Sequence, residues 1–139
     1  MLFPHVDISL RFNLSNQRNT RNKFIKNFDF LYPQINATFT VTAVSGHLME
    51  HEFPPNYKGW HSCDPYALFD APVVTQVTQS SKTIEDNLVN EARRADMLMI
   101  WTDCDREGEN IGAEVAKICR RGNPRIRVKR ARFSAIIPQ

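Results

Sequence analysis

The stretch WTDCDREGEN, Trp101 to Asn110, sets the carboxylates of Asp103, Asp105, Glu107 and Glu109 within seven residues, with Arg106 as the cation among them. Two like charges about 4 Å apart repel by roughly 4 kcal/mol at an effective dielectric of about 20. Such crowding is relieved either by splaying the side chains into water or by a cation placed between them. Donors made of oxygen alone suit a hard divalent ion, and a few carboxylates with water completing the shell is the habit of Mg²⁺.

Other readings compete for the same residues. Asp is a favoured helix N-cap and Glu is favourable in a first turn, because both meet the positive end of the helix dipole. One of each does that job; four carboxylates exceed it. DCDREGENIGAE nearly matches a calcium loop, with acids at loop positions 1, 3 and 5, glycine at 6 and Glu114 at 12. Position 5 is Glu instead of Asp or Asn, however, and the segment leading in reads as strand. His47-x₃-His51 with His61-x-Cys63 fits no usual zinc pairing. Cys104 stands between two aspartates, which disfavour a thiolate and argue against a nucleophile. His47 follows Gly46 at a strand end, where a plain turn histidine and a site-edge histidine are both open. Trp60 and Phe133 offer faces for base stacking, although isolated aromatics more often belong to a core.

The surrounding pattern must position the carboxylates. FDFLY and ATFTVTAV (37–44) read as strands, and the polar NLSNQRNTRN before them as a loop or disordered arm. Prolines, Gly59 and Asp64-Pro65 make Pro54 to Pro72 an irregular connection. Ile84, Leu88, Ala92 and Ala95 form the stripe of an amphipathic helix beginning near Ser81. MLMIW (97–101) is continuously apolar, as expected of a parallel strand covered on both faces. Ile111, Val115 and Ile118 make a second helical stripe that ends before Gly122-Asn123-Pro124, and RIRVKRARF reads as a strand. Helix, strand, helix, strand predicts an α/β fold with parallel crossovers. The acidic cluster then falls at the carboxyl end of a strand and the start of a helix, where open α/β sheets bind ligands. Gly108 keeps that turn uncrowded.

With 139 residues, 42% hydrophobic and 24% charged, the composition fits a globular domain with a real core. No apolar run has transmembrane length, and MLFPHVDISL lacks the basic and long apolar regions of a signal peptide. Three cysteines in no framework pattern favour a reducing compartment, cytosol or nucleus. The net charge of +3 conceals a partition: 13 of the 15 acids lie between Ser45 and Glu114, and both ends are basic. Such asymmetry is a footprint of polyanion binders, with a solvated charged surface as the bland alternative.

MIWTDCDREGENIGAEV resembles the acidic Toprim motif of type IA DNA topoisomerases, especially the eukaryotic topoisomerase III group. VTAVSGHLMEHEF, LFDAPV and RARFSAI resemble further segments of that group in the right order, so the likeness runs from about Asn19 to Gln139. It implies a Toprim-like α/β fold, a mainly parallel sheet flanked by helices. Residues 19–139 are then a partial Toprim domain and residues 1–18 an atypical or disordered N-terminal segment. By this likeness Asp103, Asp105 and Glu107 match the D-x-D-x-E triad that holds Mg²⁺, and Glu109 belongs to the motif without being one of the three. His47 matches the S-G-H-L element. With Arg106, Arg125, Arg127, Lys129, Arg130 and Arg132 it makes up the expected nucleic-acid contacts.

The same resemblance implies single-strand DNA cleavage by a tyrosine, strand passage and religation, an isomerase activity serving recombination and repair in the nucleus. Single-stranded DNA, a RecQ-type helicase and an OB-fold scaffold protein are the implied partners, with no membrane. Two elements of the family pattern have no match. MLFPHVDISLRF lacks the glutamate and lysine of an E-K-P-S-like first strand, so that strand is expected to be missing. Tyr32, Tyr57 and Tyr66 are not in the nucleophile's motif. A fragment inactive by itself is the expectation, with a non-catalytic nucleic-acid or partner-binding module as the alternative.

Overall fold

Residues 16–133 are described by a computed structural model, and within it the chain divides between Ser45 and Gly46 into two units. In the first, strands β1 (Asn16–Asn19), β2 (Lys26–Tyr32) and β3 (Ala37–Val41) form an antiparallel sheet in that order. β2 and β3 bear the aromatic residues expected of strands. Phe30 stacks on Phe39 with ring centroids 5.3 Å apart, directly across the ladder. The turn between them starts at Pro33 and closes at Asn36, whose φ of 47° is the left-handed conformation that asparagine tolerates.

The loop-or-arm reading of the polar stretch needs correction at β1. This strand has no apolar alternation, yet Asn16–Asn19 pairs with Lys26–Asp29. A cross-strand ion pair between Arg18 and Asp29 supports it, and Thr40 donates to the same Asp29 carboxylate at 2.7 Å. The turn is built from side chains: the Thr20 hydroxyl donates to the Ile25 carbonyl at 2.7 Å, and Asn22 Oδ1 accepts from the Phe24 N–H at 3.0 Å. Most of the segment set off as 1–18 lies outside the described residues.

In the second unit, β4 (Met49–Glu52) pairs antiparallel with β5 (Val74–Val77). The proline-rich span between them carries α1 (Pro55–Lys58) and a 3-10 turn, Pro65–Phe69. Each opens on proline, whose missing N–H is harmless at a helix start. Helix α2 (Lys82–Ala92) buries Ile84, Leu88 and Ala92 of the predicted stripe, while Ala95 falls past the helix end and is only partly covered. β6 (Met97–Ile100) runs parallel to β7 (Arg127–Arg130), and α3 (Arg106–Gly122) connects them. α3 buries Gly108, Gly112, Val115, Ala116, Ile118 and Cys119, one face of a 3.6-residue period. At Gly122 a Cβ would stand 2.4 Å from the Val89 carbonyl oxygen, so α2 and α3 approach backbone to backbone there.

The α/β class therefore holds, and the parallel expectation holds in part. Among the described residues, parallel pairing is confined to β6 and β7; the other ladders are antiparallel. Nor is MLMIW covered on both faces. Ile100 is buried against α3, whereas Met99 is 43% and Trp101 66% exposed. Alternation along a strand sends neighbours to opposite faces, and α3 covers the face that Ile100 occupies.

Candidate functional site

The carboxylates sit where β6 ends and α3 begins, as the pattern predicted. Thr102 leads out of the strand, and its hydroxyl donates to the Gly108 carbonyl at 2.8 Å. Asp105 takes the N-cap, accepting from the Gly108 N–H at 2.7 Å, while Glu107 and Glu109 occupy the first turn. The capping reading is thus correct for one side chain. Gly108 is buried against the loop, and a Cβ there would lie 2.0 Å from the Asp103 carbonyl oxygen. Only glycine lets the helix start this close to the turn that feeds it.

Arg130, at the end of β7, resolves part of the crowding. Its side chain is 16% exposed and donates through Nε to Glu109 Oε1 at 3.0 Å. The other nitrogens donate to the carbonyls of Asp103 at 2.8 Å and Ala131 at 2.7 Å. One of the four carboxylates is neutralised from within the fold, and the loop's backbone is tied to β7. That duty was not legible in a sequence where Arg130 is one of eight basic residues between Lys117 and Arg132.

Asp103, Asp105 and Glu107 are all exposed at this junction. Their side chains do not converge: among the described residues no three His, Cys, Asp or Glu side chains form a metal-holding group. The donor chemistry nevertheless suits a hard cation, since all three offer oxygen and the cap uses one oxygen of Asp105. The calcium-loop reading fails, because a strand leads in and the would-be loop is helical from Arg106. The zinc pairing fails too, with His47 on Glu114 and His51 on the Thr75 hydroxyl at 3.1 Å.

His47 lies ahead of β4 and meets α3, with Nδ1 at 3.0 Å from Glu114 Oε1. Glu114, read from sequence only as a loop position, also accepts from the backbone N–H groups of Leu48 and Met49 at 2.7 and 3.2 Å. The signal that could have found it is helical: Glu107, Asn110 and Glu114 are spaced for one face. Of the basic residues, Arg106, Arg125, Arg127, Lys129 and Arg132 are exposed. Arg127 and Lys129 share one face of β7, opposite Val128 and Arg130. Trp60 is 96% exposed, so the core reading does not apply to it, and Trp101 lies 6.5 Å from Phe133 between ring centroids. Burial pushes the Cys119 thiol up to about 11, which makes it inert.

The D-x-D-x-E run thus lies at the junction of a parallel strand–helix–strand unit. Residues 14–136 match the Toprim domain model, and the chain belongs to that family. It is 45% identical over 122 residues to DNA topoisomerase 3 of Schizosaccharomyces pombe, covering 85% of this chain and 20% of that protein. Identity is 46% over 123 residues to DNA topoisomerase 3-alpha of Arabidopsis thaliana, covering 86% and 13%. The human DNA topoisomerase 3-alpha is 44% identical over 132 residues, covering 90% and 13%. These matches bear out the resemblance to the topoisomerase III group of type IA enzymes. The chain spans a fifth or less of the length of these curated relatives.

Proposed function

We propose that the chain is the metal-holding Toprim part of a type IA DNA topoisomerase of the topoisomerase III group. The whole protein would cut single-stranded DNA, pass another strand through the gap and rejoin it, in recombination and repair in the nucleus. The observation that carries this reading is the carboxylate set of Asp103, Asp105 and Glu107 at the junction of β6 and α3. These three residues would hold Mg²⁺, which when bound supplies charge neutralisation beside a backbone phosphate.

The chain's own residues organise that junction. Asp105 caps α3 while keeping one oxygen for other use, Gly108 brings the helix start against the loop, and Arg130 holds Glu109 aside. Arg106, Arg125, Arg127, Lys129 and Arg132, with His47, meet backbone phosphates, so binding weakens as salt rises. None of these groups is the nucleophile. The reading assigns attack on the phosphodiester to a tyrosine elsewhere in the whole protein, and a RecQ-type helicase and an OB-fold scaffold protein to its partners.

A chimera tests this. Residues 19–139, set in place of the matching segment of a DNA topoisomerase 3 relative, should relax negatively supercoiled plasmid with Mg²⁺, and Asp103→Ala should abolish the activity. The chain by itself should not relax DNA at any Mg²⁺ concentration. A folded but inactive chimera would favour the non-catalytic binding module. Relaxation by the chain alone, lost in Asp103→Ala, would reveal a nucleophile within it.

A further inference from the structure

Glu114 lies near the middle of α3, its side chain 11% exposed, and reaches the segment that leads into β4. Oε1 stands 3.0 Å from His47 Nδ1, and Oε2 accepts from the N–H groups of Leu48 and Met49. An ionised carboxylate only accepts hydrogen bonds. The proton in the short contact therefore sits on Nδ1, and a neutral ring keeps its lone pair on Nε2, across the imidazole from Glu114. Asn110 Nδ2 is also 3.5 Å from Nδ1, at the outer limit of a hydrogen bond, and its amide can present oxygen instead. These two α3 groups are the ones within hydrogen-bond reach of the ring among the described residues. Glu107, Asn110 and Glu114 share a helix face, with Asn110 about one turn and Glu114 about two turns from Glu107.

We propose that Glu114 is a positioning residue that fixes the Nδ1–H tautomer of His47 and so reserves Nε2 for a phosphate oxygen of single-stranded nucleic acid. This rests on the nucleic-acid reading above. On binding, Nε2 takes a proton from solvent, forming an N–H bond that donates to the phosphate. The imidazolium then lies between two anions, Glu114 at Nδ1 and the phosphate at Nε2, and its charge is offset on both sides. Because binding takes up a proton, affinity tightens as pH falls. His47 is well placed for this, since its side chain is 43% exposed while Glu114 is not.

Nitrogen-15 spectra of the full chain in mildly alkaline buffer should give His47 a protonated Nδ1 and a bare Nε2; the opposite tautomer overturns the inference. Glu114→Gln should invert the pattern. Its amide oxygen must accept from Leu48 and Met49, which turns an NH₂ donor toward Nδ1. An unchanged tautomer in the folded variant overturns the proposal. If that variant does not fold, Asn110→Ala decides: the tautomer should persist, and its inversion would assign the positioning to Asn110. A labelled oligothymidylate should bind several-fold tighter in mildly acidic than in mildly alkaline buffer, and His47→Gln should remove the difference. A difference that survives His47→Gln sinks the inference with nucleic-acid binding intact. Absence of binding by every form at low salt sinks the nucleic-acid reading instead, and the tautomer still judges Glu114.

Discussion

Arg130 Nε donates to Glu109 Oε1 at 3.0 Å, joining the last residue of β7 to the first turn of α3 across the end of the parallel pair. The same guanidinium holds the Asp103 carbonyl at 2.8 Å. A cation that reads from sequence as a phosphate contact is thus committed to shaping the acidic loop. Glu109 is 60% exposed, so the ion pair itself is solvent-screened and contributes little; the carbonyl bonds matter more.

Arg130→Gln should therefore lower stability by about 1–2 kcal/mol, because the charged donor to two backbone carbonyls is removed. Glu109→Gln, which removes the screened pair and one carboxylate from the first turn of α3, should cost less than about 1 kcal/mol. Urea unfolding of the two variants measures the difference. Equal losses would mean that the ion pair, and not the carbonyl contacts, is the main tie.

Gly108→Ala places a methyl 2.0 Å from the Asp103 carbonyl oxygen, a contact that backbone atoms cannot yield to without moving the loop. Alanine's better helix propensity returns at most about 1 kcal/mol. A net loss of about 2–4 kcal/mol is expected, with amide-shift changes concentrated at residues 102–105. Thermal melts and an NMR comparison check this, and a stabilised variant would contradict the close approach.

Asp105 combines a cap with a proposed ion ligand, and the two roles separate by substitution. Asparagine caps nearly as well as aspartate, so Asp105→Asn should keep the fold while weakening Mg²⁺ binding. Asp105→Ala should lose both, with a stability cost of about 1 kcal/mol. Mg²⁺ titrations followed by amide shifts read the ion. If residues 103–109 do not shift in the parent chain, the metal assignment fails.

The exposed residues Arg125, Arg127 and Lys129 carry the prediction for nucleic acid. Neutralising all three should flatten the dependence of log affinity on log salt for single-stranded DNA, by about one unit for each phosphate that is no longer neutralised. Arg130→Gln should change that slope less, since its charge is engaged within the protein. Fluorescence anisotropy across a salt series gives the slopes. Unchanged slopes in the triple variant would leave these side chains as a solvated surface.

Cys119 supplies a pH dependence whose sign is determined by burial. Its thiol is raised from 9.0 to about 11 in the folded chain, by desolvation. Below the unfolded value the thiol is neutral in both states and folding is unaffected. As pH rises from 9.0 toward 11, the unfolded thiol ionises first and stability falls, by at most about 3 kcal/mol. Cys119→Ala should remove this component, seen as a shallower loss of melting temperature over that range than in the parent. Parallel losses would assign the alkaline sensitivity to other groups.

Local pattern alone determined much of the second unit. The stripe through Ile84, Leu88 and Ala92, the stripe through Val115 and Ile118, and the alternation of Arg127–Arg130 each follow from one element's burial. They place Asp105 at a helix start, because periodicity begins just after it and its side chain satisfies an orphan N–H. The acidic motif was visible for the same reason: its residues are neighbours in sequence as well as in space.

What only tertiary structure decided depends on residues far apart in the chain. β1 was unreadable because its pairing draws on Arg18 and Asp29 instead of apolar alternation. The exposure of Met99 and Trp101 depends on which face of β6 the helix covers. Arg130 reaches Glu109 across 21 positions and Glu114 reaches His47 across 67, so neither tie leaves a local period to detect. A side chain's type states what it can bond, but its partner is chosen by packing that brings distant backbone together, and that choice separates a surface cation from a clamp.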